Sequence, residues 1–205
     1  HSDAASKKYN AYLQALADSV NAFAQEREFF TILVGMEQLD RHACEDLLPR
    51  LDKGAALFIS DEHDMYDLVS VLRNCHMMVS SRFHAIVTSM PGLVPSAGVT
   101  MDERIRNLMN DRGHPDLFFE VDEENLADKL LHTLRRLLRE ADAISADIAR
   151  AVPQQLRLMG QMGIDFMDEV CRVYPEFPRR ELPRTWEHHL PPLPPNVQRL
   201  LERHA

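Results

Sequence analysis

The chain has 205 residues, of which 45% are hydrophobic and 27% charged, a composition that suits one folded domain with an extension rather than a disordered chain. Its formal net charge of -9 argues against general nucleic-acid binding, since no basic face is evident to release counterions from a phosphate backbone. No apolar run reaches the roughly 18–20 residues of a membrane helix, so we expect neither an integral membrane protein nor a nucleic-acid binder.

Residues 6–150 alternate between helical periodicity and short apolar runs. Apolar residues at three- and four-residue steps predict helices, and short uninterrupted apolar runs predict strands buried on both faces. This alternation is typical of the α/β class, a parallel sheet flanked by helices. The predicted elements are, in chain order, helix 6–25, strand 29–36, helix 40–48 with Asp40 as N-cap, strand 55–59, a helix from Asp61 or Asp64 to about Cys75, strand 77–80, helix 83–90, strand 93–97, helix 102–112, strand 117–121, and a long helix from Asp122, its N-cap, to about residue 150.

The character of the chain changes after Pro153. Residues 154–174 predict one more amphipathic helix, and seven of the twelve prolines lie in 175–195. Proline fixes φ and removes an amide donor, so we expect this last segment to be extended, with Trp186 anchoring it against the domain or a partner. We therefore predict an α/β domain over 1–150 and a helical, proline-rich extension over 151–205.

Cysteine usage points to the cellular compartment. Cys44, Cys75 and Cys171 are widely spaced, odd in number and in no CxxC pair. This pattern predicts neither a disulfide scaffold nor a zinc cluster, and a reducing compartment is the simpler interpretation. No positively charged, apolar signal segment follows the first residue, His1. We expect a cytoplasmic protein without a metal site.

The sequence Ser-Ser-Arg-Phe-His-Ala at residues 80–85 lies between a predicted strand and a predicted helix. Ligands of open parallel sheets bind beyond the carboxyl ends of the strands, where the free amides that begin a helix favour an anion. Arg82 adds a planar group that holds a carboxylate or phosphate through two hydrogen bonds, and His84 exchanges a proton near neutral pH. An Arg-x-His sequence also occurs by chance, but at this position it predicts a site for transfer from a small phosphorylated or carboxylated donor.

Three other polar groups have a structural as well as a functional interpretation. In the next strand-to-helix connection, Arg104 either reaches a bound anion or pairs with Asp102 or Glu103 on a solvated face. The acidic loop 61–64 is more simply a helix cap than a metal site, because no second His or Cys falls at ligand spacing. The pair of histidines at 188–189 is expected to be exposed in the tail.

The order of motifs around the Arg-Phe-His sequence resembles that of a known family. Over residues 72–86 a short helix and an apolar strand precede a small residue and then Arg-Phe-His-Ala, which opens a helix. A proline-bearing strand, 92–97, follows. With this arrangement the segment from Asp67 to Gly113 resembles the polysaccharide pyruvyl transferase family, and the less distinctive upstream layout is similar over about a hundred residues in all.

The resemblance implies a two-domain glycosyltransferase-B-like fold in which this chain is the C-terminal, Rossmann-like half. Members move the pyruvyl group of phosphoenolpyruvate onto a sugar hydroxyl, usually as a cyclic ketal. By this resemblance His84 is the acid/base, Arg82, Ser81 and the Phe83 amide bind the donor, and Arg104 stands near the position of a family lysine. Phosphoenolpyruvate is a donor substrate and a glycan the acceptor, with no cofactor implied.

The resemblance also implies parts that this sequence lacks. Only a short polar stretch precedes residue 9, so we expect an N-terminal domain, and the usual first strand of the C-terminal one, to be missing. On this expectation the natural protein is longer, or the chain is a remnant without turnover.

Two other functions stay open. One is a nucleotide-sugar glycosyltransferase of similar architecture, which the lack of a clear glycine-rich or Glu-bearing nucleotide loop disfavours. The other is a non-catalytic interaction module that binds a protein partner through the proline-rich tail and the long helix, with a vestigial pocket. GxGxxG, GxxxxGK[ST], GxSxG and HExxH motifs are all absent, which disfavours dinucleotide, P-loop, hydrolase and zincin functions.

Overall fold

Residues 3–178 and 182–203 are described by the structure, a computed structural model. Short strands alternate with helices through the first two thirds of the chain, as the apolar pattern predicts. The regular elements are α1 (Asp3–Glu26), β1 (Ile32–Gly35), α2 (Asp40–Leu47), β2 (Ala56–Ile59), α3 (Met65–Arg73), β3 (Met78–Ser80), α4 (Phe83–Ser89), β4 (Ser96–Val99), α5 (Glu103–Asp111), β5 (Phe118–Phe119), α6 (Leu126–Arg139), α7 (Ala141–Val173) and α8 (Pro195–Arg203).

The chain divides into two compact units. The first runs to Ser145 and the second begins at Ala146. This division and the predicted domain boundary after residue 150 both fall inside α7, so one continuous helix belongs to both units.

The strands form two parallel sheets, where the sequence analysis expects a single one. β1 pairs with β2, Ile32 opposite Ala56, and β3, β4 and β5 pair in that order, Met78 opposite Ser96. No pairing within residues 3–178 and 182–203 joins the two sheets. Helices link the paired strands, as parallel pairing requires. Parallel strands flanked by helices confirm the α/β class.

β4, the middle strand of the larger sheet, is buried along its whole length. It begins later than predicted, at Ser96, because Pro95 has no amide to donate to the ladder; the Pro95 carbonyl still accepts from the Met78 amide at 2.9 Å. A Cβ on Gly98 would lie 2.3 Å from Cγ2 of Ile105. The absent side chain therefore lets α5 pack directly on this strand.

The long helix predicted from Asp122 to about residue 150 is wrong, since the chain breaks it twice. The Asp122 carboxylate binds Nζ of Lys8 at 3.0 Å instead of capping a helix. α6 begins only after Asn125, whose backbone is left-handed with a φ of 57°. It ends at Arg139, and Glu140 separates it from α7 with a backbone outside the helical region, at φ -105° and ψ 18°. The backbone conformations of Asn125 and Glu140 therefore set the two ends.

α7 continues through Pro153, where the sequence predicts the end of one helix and the start of another. Pro153 and its neighbours Ala151 and Val152 are buried. Tertiary packing supplies most of the stability of a helix in a folded protein, so the hydrogen bond lost at the proline does not end this one.

Within the second unit, the segment after α7 lies back along that helix at two glycines. A Cβ on Gly160 would lie 2.3 Å from the carbonyl oxygen of Trp186, and one on Gly163 would lie 3.1 Å from Cβ of His189. The guanidinium of Arg157 lies 5.9 Å from the centre of the Trp186 ring. These contacts place the tryptophan on α7.

The proline-rich segment is not wholly irregular. Trp186–His189 form a short 3-10 helix and Pro195 begins α8, so the prediction of an extended 175–195 is wrong at these five residues. Residues 179–181 of the predicted tail lie outside the described residues. Across the part of the chain that the structure describes, we find no helix with both the length and the apolarity that a membrane span requires.

Candidate functional site

The loop after β3 is shaped by hydrogen bonds of Ser80. Its hydroxyl accepts from the Arg82 amide at 3.0 Å and donates to the Arg82 carbonyl at 3.3 Å. Arg82 is thus the residue immediately before α4, and no side chain caps this helix. The predicted site sequence therefore lies where expected, at the carboxyl end of a parallel strand.

Arg82 is engaged by two carboxylates, Glu37 of the loop that follows β1 and Asp40 at the start of α2. Its Nε and Nη2 donate to Asp40 Oδ1 at 3.0 and 2.5 Å, and its Nη1 lies 3.2 Å from an oxygen of Glu37. The hydrogen bonds to Asp40 raise the pKa of the Arg82 guanidinium above its usual value, an effect that burial opposes. The arginine thus joins two neighbouring loops and remains charged.

Asp40 is the centre of this arrangement. The sequence predicts it as the N-cap of α2, which is wrong: it is the first residue of that helix, and Leu39 takes the cap position. Its carboxylate turns back to accept from the amides of Met36 and Glu37 at 3.0 and 3.1 Å. The sequence analysis gives Asp40 no part in the candidate site; an acid after one strand and an arginine after another are the signal that the sequence offers.

A second group forms where the loops after β3 and β4 meet. The rings of Phe83 and His84 are 5.7 Å apart, edge to face, and the Arg104 guanidinium lies 5.2 Å from the centre of the Phe83 ring. His84 is exposed. The structure therefore brings together three of the residues that the sequence analysis selected, from two separate connections.

Arg104 forms an ion pair with Asp102, which is one of the two interpretations predicted for it. Its Nε and Nη2 donate to the Asp102 carboxylate at 3.1 and 2.7 Å, and Asp102 also accepts from the Arg104 amide at 2.9 Å, capping α5. The hydrogen bonds from Arg104 hold the pKa of Asp102 below its usual value, with a smaller contribution from the charge of His84. Asp102 is therefore a neighbour of His84 as well as a cap.

Ser81, in the same loop, makes a side-chain hydrogen bond with Tyr12 of α1. Burial raises the pKa of the Tyr12 phenol, and a hydrogen bond with Ser81 opposes that rise. Tyr12 in turn packs against a cluster of Val99, Leu126 and Leu130. The helix α1 thereby supports the loop that carries the candidate site.

The charges at this edge of the two sheets are balanced by carboxylates. The guanidinium groups of Arg82 and Arg104 meet three acids, Asp40, Glu37 and Asp102. An anion that enters must therefore compete with internal partners, which lowers the free energy available for binding it.

The acidic loop after β2 is a set of ion pairs and a cap. Arg41 binds Asp61 and Glu62, each at 2.8 Å, and Asp64 caps α3 by accepting from two amides. The ring of His63 stacks on Phe58 at 3.7 Å. Over 3–178 and 182–203 no group of three His, Cys, Asp or Glu residues is arranged to hold a metal ion.

The histidines of the tail contact residues of the second unit. Nδ1 of His188 lies 2.8 Å from the hydroxyl of Thr185 within the same segment. This pair belongs to the second unit and is not part of the candidate site.

Comparison with known proteins identifies the family. Residues 1–102 match the family described as polysaccharide pyruvyl transferase, so the chain belongs to that family. The matched residues include Ser81, Arg82, Phe83 and His84, and end before Arg104.

A more distant relative has a role in polysaccharide synthesis. The chain is 23% identical over 113 residues to the amylovoran biosynthesis protein AmsJ of Erwinia amylovora. The aligned part covers 55% of this chain and 27% of AmsJ, so the chain spans about a quarter of the length of this relative. No solved structure matches the chain significantly.

Proposed function

We propose that the chain carries the donor site of a polysaccharide pyruvyl transferase, as one half of a glycosyltransferase-B-like enzyme. The enzyme transfers a pyruvyl group from phosphoenolpyruvate to a sugar of a cell-surface or exopolysaccharide, and it uses no cofactor. One observation carries the proposal: Arg104, in the first turn of α5, lies against Phe83, which adjoins His84 in the first turn of α4, at the carboxyl ends of β3 and β4 in a chain of this family. The exposure of His84 leaves its imidazole open to both substrates.

The proposed reaction needs one group that exchanges protons. A proton added to the methylene carbon of phosphoenolpyruvate makes the central carbon electrophilic. A sugar hydroxyl attacks that carbon while it loses its own proton, and phosphate leaves when a second hydroxyl of the sugar closes the ketal. His84 is the group placed to shuttle these protons, a role that is typically worth about 10²–10⁴-fold in rate.

In this proposal the two arginines bind the donor, and Arg104 is more readily available for binding than Arg82. The Arg104 side chain is 63% exposed and its carboxylate partner belongs to its own loop, so it can turn to a donor without moving another element. Arg82 binds a donor only if the donor replaces Asp40 or Glu37 as the partner of its guanidinium. The Ser81 hydroxyl and the Phe83 amide complete the proposed contacts.

The first experiment measures donor binding by the 205-residue chain, with phosphoenolpyruvate titrated and followed by ligand-observed NMR. We expect Arg82→Ala and Arg104→Ala to weaken binding and His84→Ala to leave it largely intact. Arg172→Ala is the matched control, because Arg172 makes a similar exposed pair with Glu169 elsewhere in the chain. An absence of binding by the unaltered chain contradicts the proposed donor site.

The second experiment measures phosphate release from phosphoenolpyruvate with a glycan acceptor, in the enzyme of which this chain is a part. We expect His84→Ala to reduce turnover by about 10²-fold or more. His132→Ala, which removes an exposed histidine of α6, should leave the rate unchanged. Full turnover in the His84 variant contradicts its catalytic assignment.

A non-catalytic interaction module is the second candidate, and one observation favours it. Each arginine of the site already has carboxylate partners, as in a pocket that has lost its ligand. Under this alternative phosphoenolpyruvate neither binds nor competes with those pairs, so the binding experiment separates the two candidates.

A further inference from the structure

The C-terminal half of α7 carries a stripe of exposed apolar side chains. They are Leu158, Met159, Met162, Phe166 and Val173, each between 50% and 69% exposed. At about 100° per residue these five positions fall within an arc of about 100° on one side of the helix. Contiguous apolar surface of this kind on a folded chain marks an interaction site.

Other sides of the same helix are already covered. Gly160 and Gly163 receive the segment around Trp186 and His189, and Ile164 is 7% exposed. The segment around Trp186 and His189 thus covers part of α7, whereas no described residue covers the stripe. The stripe is therefore a candidate surface for a partner.

We propose that the stripe is a homodimer interface, in which α7 of one protomer packs antiparallel against α7 of its partner about a two-fold axis at Met162. In this register Leu158 faces the partner's Phe166, and Met162 faces its own counterpart. A two-fold axis makes such an interface self-complementary, and dimers of this symmetry are the commonest homo-oligomers.

Polar residues at the two ends of the stripe favour an antiparallel arrangement of the two α7 helices. The same register brings Gln155 opposite the partner's Glu169, where the amide can donate to the carboxylate at both ends of the interface. A parallel, in-register pair would instead bring Glu169 against the partner's Glu169, and like charges in contact are unfavourable. Avoidance of this like-charge contact therefore favours the antiparallel dimer.

The size of the stripe suits a second copy in a monomer–dimer equilibrium. In this register Val173 falls opposite the partner's buried Ala151, so four side chains remain, and from their exposed fractions they present roughly 550 Å² per protomer, toward the low end of specific interfaces. A lipid surface fits the same stripe less well. Asp165 and Glu169 are exposed beside it, whereas membrane-surface helices carry Lys and Arg beside their apolar face.

Sedimentation equilibrium of the 205-residue chain tests the proposal. We expect a monomer–dimer equilibrium, and Met162→Glu should weaken association at least about tenfold because it places two carboxylates together on the axis. Met65→Glu is the matched control: it changes a comparably exposed methionine at the start of α3, in the first unit, and should leave the dimer intact. Circular dichroism of each variant checks that the helices are retained.

Either of two outcomes would overturn the proposed dimer. One is that the unaltered chain stays monomeric at every concentration reached. The other is that the Met162→Glu variant associates as strongly as the unaltered chain.

Disulfide trapping tests the direction of the helices. Leu158→Cys and Phe166→Cys are made separately in a chain with Cys44, Cys75 and Cys171 changed to Ser, and are then mixed under mild oxidation. We expect covalent dimers in the mixture and few in either variant alone. Efficient trapping of the Leu158 variant with itself would show a parallel pair and overturn the proposed register.

Discussion

Arg104 is held by a carboxylate of its own loop, and this pair controls how freely its charge can meet a donor. Asp102→Asn removes the competing charge, while the amide oxygen of Asn can still accept from the Arg104 backbone and cap α5. We expect phosphoenolpyruvate to bind up to about fivefold more tightly, since exposed ion pairs are worth about 0.2–1 kcal/mol. A titration followed by NMR measures the change.

The control for this prediction is Asp64→Asn, which alters the equivalent cap of α3. That variant should bind the donor as the unaltered chain does. Weaker binding by the Asp102 variant would instead show that the carboxylate itself serves the donor site.

Asp40 holds two loops together at the neighbouring sheet edge, and its side chain is only 16% exposed. Asp40→Ala leaves Nε and Nη2 of Arg82 and the amides of Met36 and Glu37 without their acceptor, while Nη1 of Arg82 keeps Glu37. We expect a loss of about 1–3 kcal/mol in the free energy of unfolding, less than for a fully buried pair because Arg82 is partly exposed. Urea unfolding followed by circular dichroism measures it.

Glu37→Gln provides the comparison, since Glu37 is more exposed and makes a single ion pair with Arg82. Its cost should stay within about 0.5 kcal/mol. Equal losses for the two variants would contradict a central role for Asp40.

Cys44 shows how burial changes reactivity in this chain. Burial raises the pKa of its thiol to about 11, and the charges of Asp40 and Glu45 contribute in the same direction. Since the thiolate is the reacting form, only about 0.1% of Cys44 is reactive at pH 8. Alkylation followed by mass spectrometry should show a rate that still rises above pH 10. A rate that levels off below pH 9 would be inconsistent with this pKa.

At the scale of elements, Gly98 sets the distance between β4 and α5. Gly98→Ala forces a methyl group against Cγ2 of Ile105, and overpacking of this kind costs about 1–3 kcal/mol. Ile105→Leu removes the branch that Cγ2 belongs to, so the double variant should recover part of the loss. Thermal unfolding compares the two. A double variant no more stable than Gly98→Ala would show that the clash lies elsewhere.

Most elements of the first unit are predictable because each has a local cause. Asp64 and Asp102 cap α3 and α5 as expected of acids that precede an amphipathic run. Periodicity alone does not show where two helices divide, because the apolar face of α6 continues into α7. That division depends on the backbone of Glu140, which leaves the helical region at φ -105° and ψ 18°, and the apolar pattern does not specify it.

The candidate site is predictable only in part, for the same reason. The position of Arg82, Phe83 and His84 at the end of a strand follows from the apolar pattern. The pairing of Arg82 with Asp40 joins residues 42 positions apart, through the conformations of two loops, and no local pattern specifies it.

At the scale of the whole molecule, the candidate donor site and the apolar stripe lie in different units. The family match, residues 1–102, lies in the first unit with the candidate donor site. The apolar stripe lies in the second unit, and α7 belongs to both. The donor and dimer experiments can therefore fail independently, because no residue is altered in both.

Trp186 allows the second unit to be followed by intrinsic fluorescence. It is the only tryptophan of the chain, and its carbonyl and Cβ lie directly over Gly160, so the indole emission reports whether this segment is seated on α7. Gly160→Ala inserts a methyl group into that contact and should move the emission to the red as the ring gains water. Asp40→Ala, a change in the first unit, should leave the native emission where it is. A single fluorescence spectrum thus separates damage to one unit from damage to the other, without a label.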